Sequence, residues 1–145
     1  MIFRNSIQPE WDDPENENGG IWKITLSHRS MKEHKYDKTI ISRLWYELLV
    51  SVVGESLVED PFTMSLITGI IVARKNSEDR IQIWTKNSEN AEKQLEIGKA
   101  VKSVLKIDYS SVIEYHSHAM AKVKKNWSKA GDDSLYRLPS LRPEF

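Results

Sequence analysis

The chain has 145 residues, with 21 Lys+Arg balanced by 21 Asp+Glu, so its length fits one domain and its zero net charge gives no bulk attraction to nucleic acid. It has no cysteine, which excludes disulfides and thiol chemistry and leaves nothing that argues for secretion. No window is apolar over the length that a membrane span needs, and residues 1–20 lack the apolar core of a signal peptide.

In chain order, Ile2–Ile7 is predicted as a short strand. The stretch IQPEWDDPENENGGIW (residues 7–22) holds two prolines, two glycines and two asparagines, so residues 8–20 read as a loop. Its tryptophan, Trp11, stands directly before two carboxylates, Asp12 and Asp13. Ile21–Leu26 alternates as a strand, with Trp22, Ile24 and Leu26 on one face. Residues 27–38 form a polar connection rich in lysine and histidine. Thr39–Val53 reads as a helix, capped by Asp37 or Thr39 and ended by Gly54. Ile41, Leu44, Trp45, Leu48, Leu49 and Val52 make its buried stripe.

Met64–Arg74 is mostly apolar and branched, hence a buried strand. KNSED is a polar turn into Arg80–Thr85, and the two strands form a hairpin. Ser88–Leu105 reads as a second helix, with Ala91, Leu95, Gly98, Val101 and Leu105 on one stripe. Val112–Ser117 is a further strand. From about Ala119 the chain is basic and then loop-like. The sum is a single α+β domain over 1–145: a curved antiparallel sheet of about four strands, with two helices on its convex face.

Period two places Arg80, Gln82 and Trp84 on one side of their strand and Ile81 and Ile83 on the other. The isoleucines suit the helix-covered core. If Arg74 pairs with Arg80 across the turn, both arginines share the open side with Trp84, and Trp11 lies over that face from its loop. An indole stacks on a planar heterocycle and attracts a cationic one. A neighbouring carboxylate accepts from adjacent N–H donors of a guanine edge, and arginines hold phosphate bidentately.

These pieces together resemble the translation initiation factor 4E family, which binds the messenger-RNA cap. The resembling stretches run in order from about Phe3 to about Lys124: IQPEWDD, GGIWKITL, LWYELL with VGES, VAR with DRIQIWT, and YHSHA. The resemblance implies that Trp11 stacks on 7-methylguanine, that Asp12 reads the guanine N1 and N2 hydrogens, and that Trp84 touches the N7 methyl group. It implies that Arg74 and Arg80 face the triphosphate, with Lys124 closing over the far end. It further implies that Trp45, Tyr46 and Val50 lie on the helix whose outer side docks a short helical motif of a scaffold factor or inhibitor.

The chain departs from the family at several points. Asp12 stands where glutamate is usual, Ile21 where arginine is usual, and Asn76 where lysine is common in a turn one residue shorter. The N-terminal part of a typical member, with its second stacking tryptophan and partner-anchoring tryptophan, has no counterpart here. A bare sheet edge would then be exposed, so self-association is an expectation.

Trp22 and Trp45 read as core residues. His116 and His118 have a chelating spacing but no evident third ligand, so no metal is expected, and no cofactor either. Glu47 and Glu55 are too scattered for a hydrolytic centre, so a binder rather than an enzyme is expected, acting in the cytoplasm. The alternative is a 4E-like interaction or competitor module that binds the cap weakly or not at all.

Overall fold

Apolar residues at every second position build the sheet, and apolar residues at the three/four spacing build the helices that back it. The computed structural model describes residues 1–27, 39–106, 112–119 and 136–138. The elements are β1 (Ile2–Phe3), β2 (Gly20–Ser27), α1 (Thr39–Val53), α2 (Pro61–Ser65), β3 (Ile67–Arg74), β4 (Glu78–Thr85), α3 (Ala91–Leu105), β5 (Val112–Ser117) and β6 (Tyr136–Leu138). All strands pair antiparallel in one sheet of order β1-β3-β4-β2-β5-β6.

One face of the sheet meets the helices. Trp22, Ile24 and Leu26 of β2, Ile81 and Ile83 of β4, and Ile113 and Tyr115 of β5 are buried there. Against them pack Ile41, Leu44 and Leu48 of α1 and Ile97, Val101 and Leu105 of α3. The α3 backbone comes close to Trp22: the indole Nε1 donates to the Gln94 carbonyl at 3.1 Å. A side-chain carbon on Gly98 would lie 2.6 Å from Trp22 Cζ2, so only glycine permits this approach.

The expected bounds of α1 and β5 match the structure, and several others differ. β1 stops at Phe3, and beyond it Ser6 takes a left-handed φ of 68° in the following turn. The run from Met64 begins in a short helix rather than a strand. Asp60 caps it, accepting from Phe62 N and Thr63 N and from the Thr63 hydroxyl at 2.7 Å, and Pro61 opens it. α3 starts at Ala91 under the Asn90 cap, and Gln94 and Ile97 are buried while Ala91 is exposed. β6 lies where loop was expected. Beyond the two residues paired with β1, the rest of the β3 edge has no strand beside it among the described residues. The Asp37 cap, the residue 28–38 connection, Lys124 and the basic stretch around it lie outside the described residues.

Because the Gly98 site admits no side chain, Gly98→Val should lower unfolding free energy by about 1–3 kcal/mol in urea titration. An unchanged midpoint would mean that Trp22 yields its place freely.

Candidate ligand-binding face

The loop from Gln8 to Gly19 is folded by its own polar side chains. The Asp13 carboxylate accepts from the backbone N–H of Gln8 at 3.0 Å and of Glu15 at 2.9 Å, and these bonds hold its pKa below the usual carboxylate value. Asn16 is fully buried. Its amide donates to the carbonyls of Gln8 and Glu10, each at 2.9 Å, and its oxygen accepts from the Thr68 hydroxyl at 2.9 Å. Thr68 is the extra residue of a β-bulge, since Ile67 faces Thr85 while Gly69 faces Trp84. The bulge aims Thr68 at the loop.

The far end of the loop is tied down as well. Ser88 N–H donates to the Asn18 carbonyl at 2.8 Å, His118 N–H to that of Gly19 at 3.0 Å, and Lys86 pairs with Glu15 at 2.7 Å. Gly19 lies so close to the Thr85 carbonyl that no side chain fits. The loop is therefore fixed to the sheet end that carries Trp84 and Thr85. From it Trp11 projects with 37% of its surface exposed, and Asp12 is exposed beside it. The adjacent carboxylates have separate roles: Asp13 shapes the loop, and Asp12 is left facing outward.

Pairing fixes what shares the helix-free face. Trp84 stands opposite Ile21 and Gly69, Gln82 opposite Lys23 and Ile71, and Arg80 opposite Thr25 and Ala73. Glu114 and His116 of β5 join from the other side of Lys23 and Ile21. Trp84 does not lie open in the middle of this face as expected. It is 7% exposed, with Phe3 edge-on at 5.3 Å and the His118 ring at 4.8 Å, and its Nε1 donates to Gln82 Oε1 at 3.1 Å. Phe3 reaches it because Gly69 has no side chain in the way.

Arg74 corrects a second expectation. It stands opposite Asp79, not Arg80, and Asp79 is buried on the helix side with Ile81 and Ile83. Arg74 is thus on the face away from Trp84. The extra residue in the turn shifts the pairing by one position, and a one-residue shift reverses the side of every side chain. By the same parity Lys75, whose N–H donates to the Glu78 carbonyl at 2.9 Å, continues the Arg80 side. Arg80 is where it was expected, but its guanidinium is held by Glu78, with Nε to Oε1 at 2.6 Å and a second contact from Nη2.

On α1 the three expected residues divide. Trp45 is half-buried against the core, whereas Tyr46 and Val50 are exposed, at 67% and 52%. Val53 continues their row at the same spacing and is also exposed. Asn16, Lys23 and Phe3 were missed by sequence reasoning. Nothing distinguishes Asn16 from Asn18 in ENEN, but the strand alternation does place Lys23 on the face of Ile21, and that signal was available.

Two measurements test the anchoring of this end. Removing the three side-chain hydrogen bonds by Asn16→Ala should lower stability by about 1–3 kcal/mol in denaturant, an unaltered midpoint being the contrary result. Burial among Trp84 and its neighbours pushes the His118 pKa down from 6.5 to about 4. The unfolded chain therefore takes up this proton from pH 6.5 downward, while the folded chain resists until about pH 4. Stability should fall across that window by up to about 3 kcal/mol. His118→Phe should flatten that part of the stability profile. An equally steep profile in the variant would place the titration elsewhere.

The sequence profile of the family "Eukaryotic initiation factor 4E" matches residues 1–132. Eukaryotic translation initiation factor 4E of Homo sapiens is 34% identical over 118 residues, covering 81% of this chain and 50% of the human protein. Its counterpart in Saccharomyces cerevisiae is 33% identical over 120 residues, covering 83% of this chain and 51% of the yeast protein. The chain spans about half the length of the curated relatives it matches. Among solved structures, Ascaris suum eIF4E-3 with m7G cap superimposes with a TM-score of 0.74 at 24% identity, over 96% of this chain and 67% of that one. C. elegans eIF4E-3, in complex with the 4E-binding protein Mextli, gives 0.71 at 26% identity, over 83% of this chain and 64% of that one. The fold, the ordered motifs and the profile match agree: the chain belongs to the eukaryotic initiation factor 4E family.

Proposed function

We propose that this chain binds the 7-methylguanosine cap of messenger RNA in cytoplasmic translation initiation, as a binder and not an enzyme. The observation that carries this is Trp11: an exposed indole on a loop pinned at both ends, with the Asp12 carboxylate outward beside it. Trp11 stacks on the methylated base, which is worth about 1–3 kcal/mol and more for a cationic ring. Asp12 accepts from the guanine edge. Its side chain is one methylene shorter than the usual glutamate, and the fixed loop sets how far it reaches. Trp84 is only 7% exposed, and the little surface it offers is enough for contact with a methyl group. Four residues separate Trp84 from Arg80, about 13 Å along a strand. The phosphates run that way, with Arg80 shared between Glu78 and the nucleotide and Lys124 closing the far end. Arg74, on the opposite face, is not part of this path.

A second reading rests on α1. Tyr46, Val50 and Val53 form an exposed apolar row that fits the docking of a partner's short helical motif, with or without cap binding. The uncovered edge of β3 fits a third contact, with a second copy of the chain. A clean monomer in sedimentation would oppose that contact.

Tryptophan fluorescence titrated with 7-methyl-GTP and with GTP separates these. Selective quenching by the methylated nucleotide, lost in Trp11→Ala, is expected. Asp12→Asn should weaken binding about tenfold, the loss of a charge-assisted contact. Equal response to both nucleotides would defeat cap recognition and leave the helix reading, which a partner-motif peptide tests directly.

A further inference from the structure

Building on cap binding, we propose that Lys23 is the principal phosphate-binding cation of this chain, with Lys75 beyond it, and that this pair takes the place of an arginine at position 21 and of Arg74. The register puts Lys23 opposite Gln82, between Trp84 and Arg80, on the helix-free face. That is the midpoint of the path leading away from the base. The usual arginine position is occupied by Ile21, two residues earlier on the same strand and therefore on the same face. The positive charge has moved one pleat along β2, about 7 Å towards Arg80.

The surroundings of Lys23 leave its ammonium available. Its neighbours on the two adjacent strands are Gln82, which accepts from Trp84 Nε1, and Glu114. Glu114 turns an oxygen to within 3.0 Å of His116 Nε2. Among the described residues no carboxylate lies within ion-pair distance of Lys23. Arg80 contrasts with it, since both of its near-side nitrogens are engaged by Glu78. Of the two cations, Lys23 meets an incoming phosphate without first breaking an ion pair. Lys75 lies across from Glu78 at the turn, on the side of β4 away from Lys23. A lysine is a mobile point charge with three donors, suited to a flexible polyphosphate rather than to one fixed bidentate geometry.

The test uses the full chain and three ligands: 7-methylguanosine, 7-methyl-GMP and 7-methyl-GTP, followed by calorimetry or fluorescence. Lys23→Gln should weaken 7-methyl-GTP about tenfold, the size of one charge-assisted contact, and leave the nucleoside unchanged. The variant's log affinity against log salt should be flatter, by just under one unit if one phosphate contact is lost. Lys23→Arg should restore most of the affinity, and Arg74→Gln should change nothing. Undiminished 7-methyl-GTP binding in Lys23→Gln, or an equal loss for the nucleoside, overturns the assignment while cap binding stands. Failure of the unaltered chain to bind even 7-methyl-GTP removes cap recognition itself, and the assignment with it.

Discussion

The end of the sheet that carries the proposed site depends on a buried hydroxyl. Thr85, at the end of β4, has no exposed surface and lies 2.9 Å from both the Gln94 side-chain oxygen and the Tyr115 hydroxyl. The Gln94 amide in turn donates to the carbonyls of Lys86 at 2.6 Å and Asn87 at 3.1 Å. Three elements, β4, β5 and the first turn of α3, are thereby locked where the strand leaves the sheet. A buried polar group without a partner is costly, so a network this completely paired defines one arrangement. The same place receives the loop: Gly19 rests on the Thr85 carbonyl and Ser88 bonds to Asn18. Trp84 precedes Thr85 and Trp11 rides on the loop, so the position of both indoles follows from this end being rigid.

The charges on the helix-free face explain how a chain of zero net charge could carry the proposed anion site. Lysines and arginine alternate there with Glu78 and Glu114. Glu78 is paired with Arg80, and a Glu114 oxygen lies 3.0 Å from His116 Nε2. Half-buried pairs that still reach solvent add modestly to stability. They do set which cation is uncommitted, and so where a phosphate gains most. A Debye length near 8 Å at physiological salt confines this attraction to a ligand already seated on the face.

Much of the architecture was legible in the sequence. Thr39–Val53 and Val112–Ser117 carry strong periodicity without internal interruption, and their bounds were predictable. The inward Ile81 and Ile83 and the buried Trp22 follow from alternation alone. The hairpin parity did not follow, because it depends on the length of a turn, and one residue decides whether Arg74 or Lys75 faces Trp84. Loop anchoring was also hidden. Asn16 owes its role to Thr68, 52 residues away, and to a bulge that no local pattern announces. Trp84 was placed on the right face but not at the right depth, since its cover comes from Phe3 on β1 and from His118 just past the end of β5.

The two candidate surfaces lie on opposite sides of one sheet. Tyr46 and Val50 face outward from α1, whose inner residues Leu44 and Leu48 rest on the layer that contains Ile81 and Ile83. Trp11, Asp12 and Lys23 belong to the loop and the far face. A close-packed layer transmits displacement only if it has two arrangements to choose between. The core residues between these surfaces are buried, and Gly98 is pressed against Trp22 with no room for a second arrangement there. The surfaces should therefore act additively, as sites without shared partners do. On this geometry, a protein partner seated on α1 would alter the affinity for a nucleotide only by touching the loop or the sheet edge itself, not by pushing through the core.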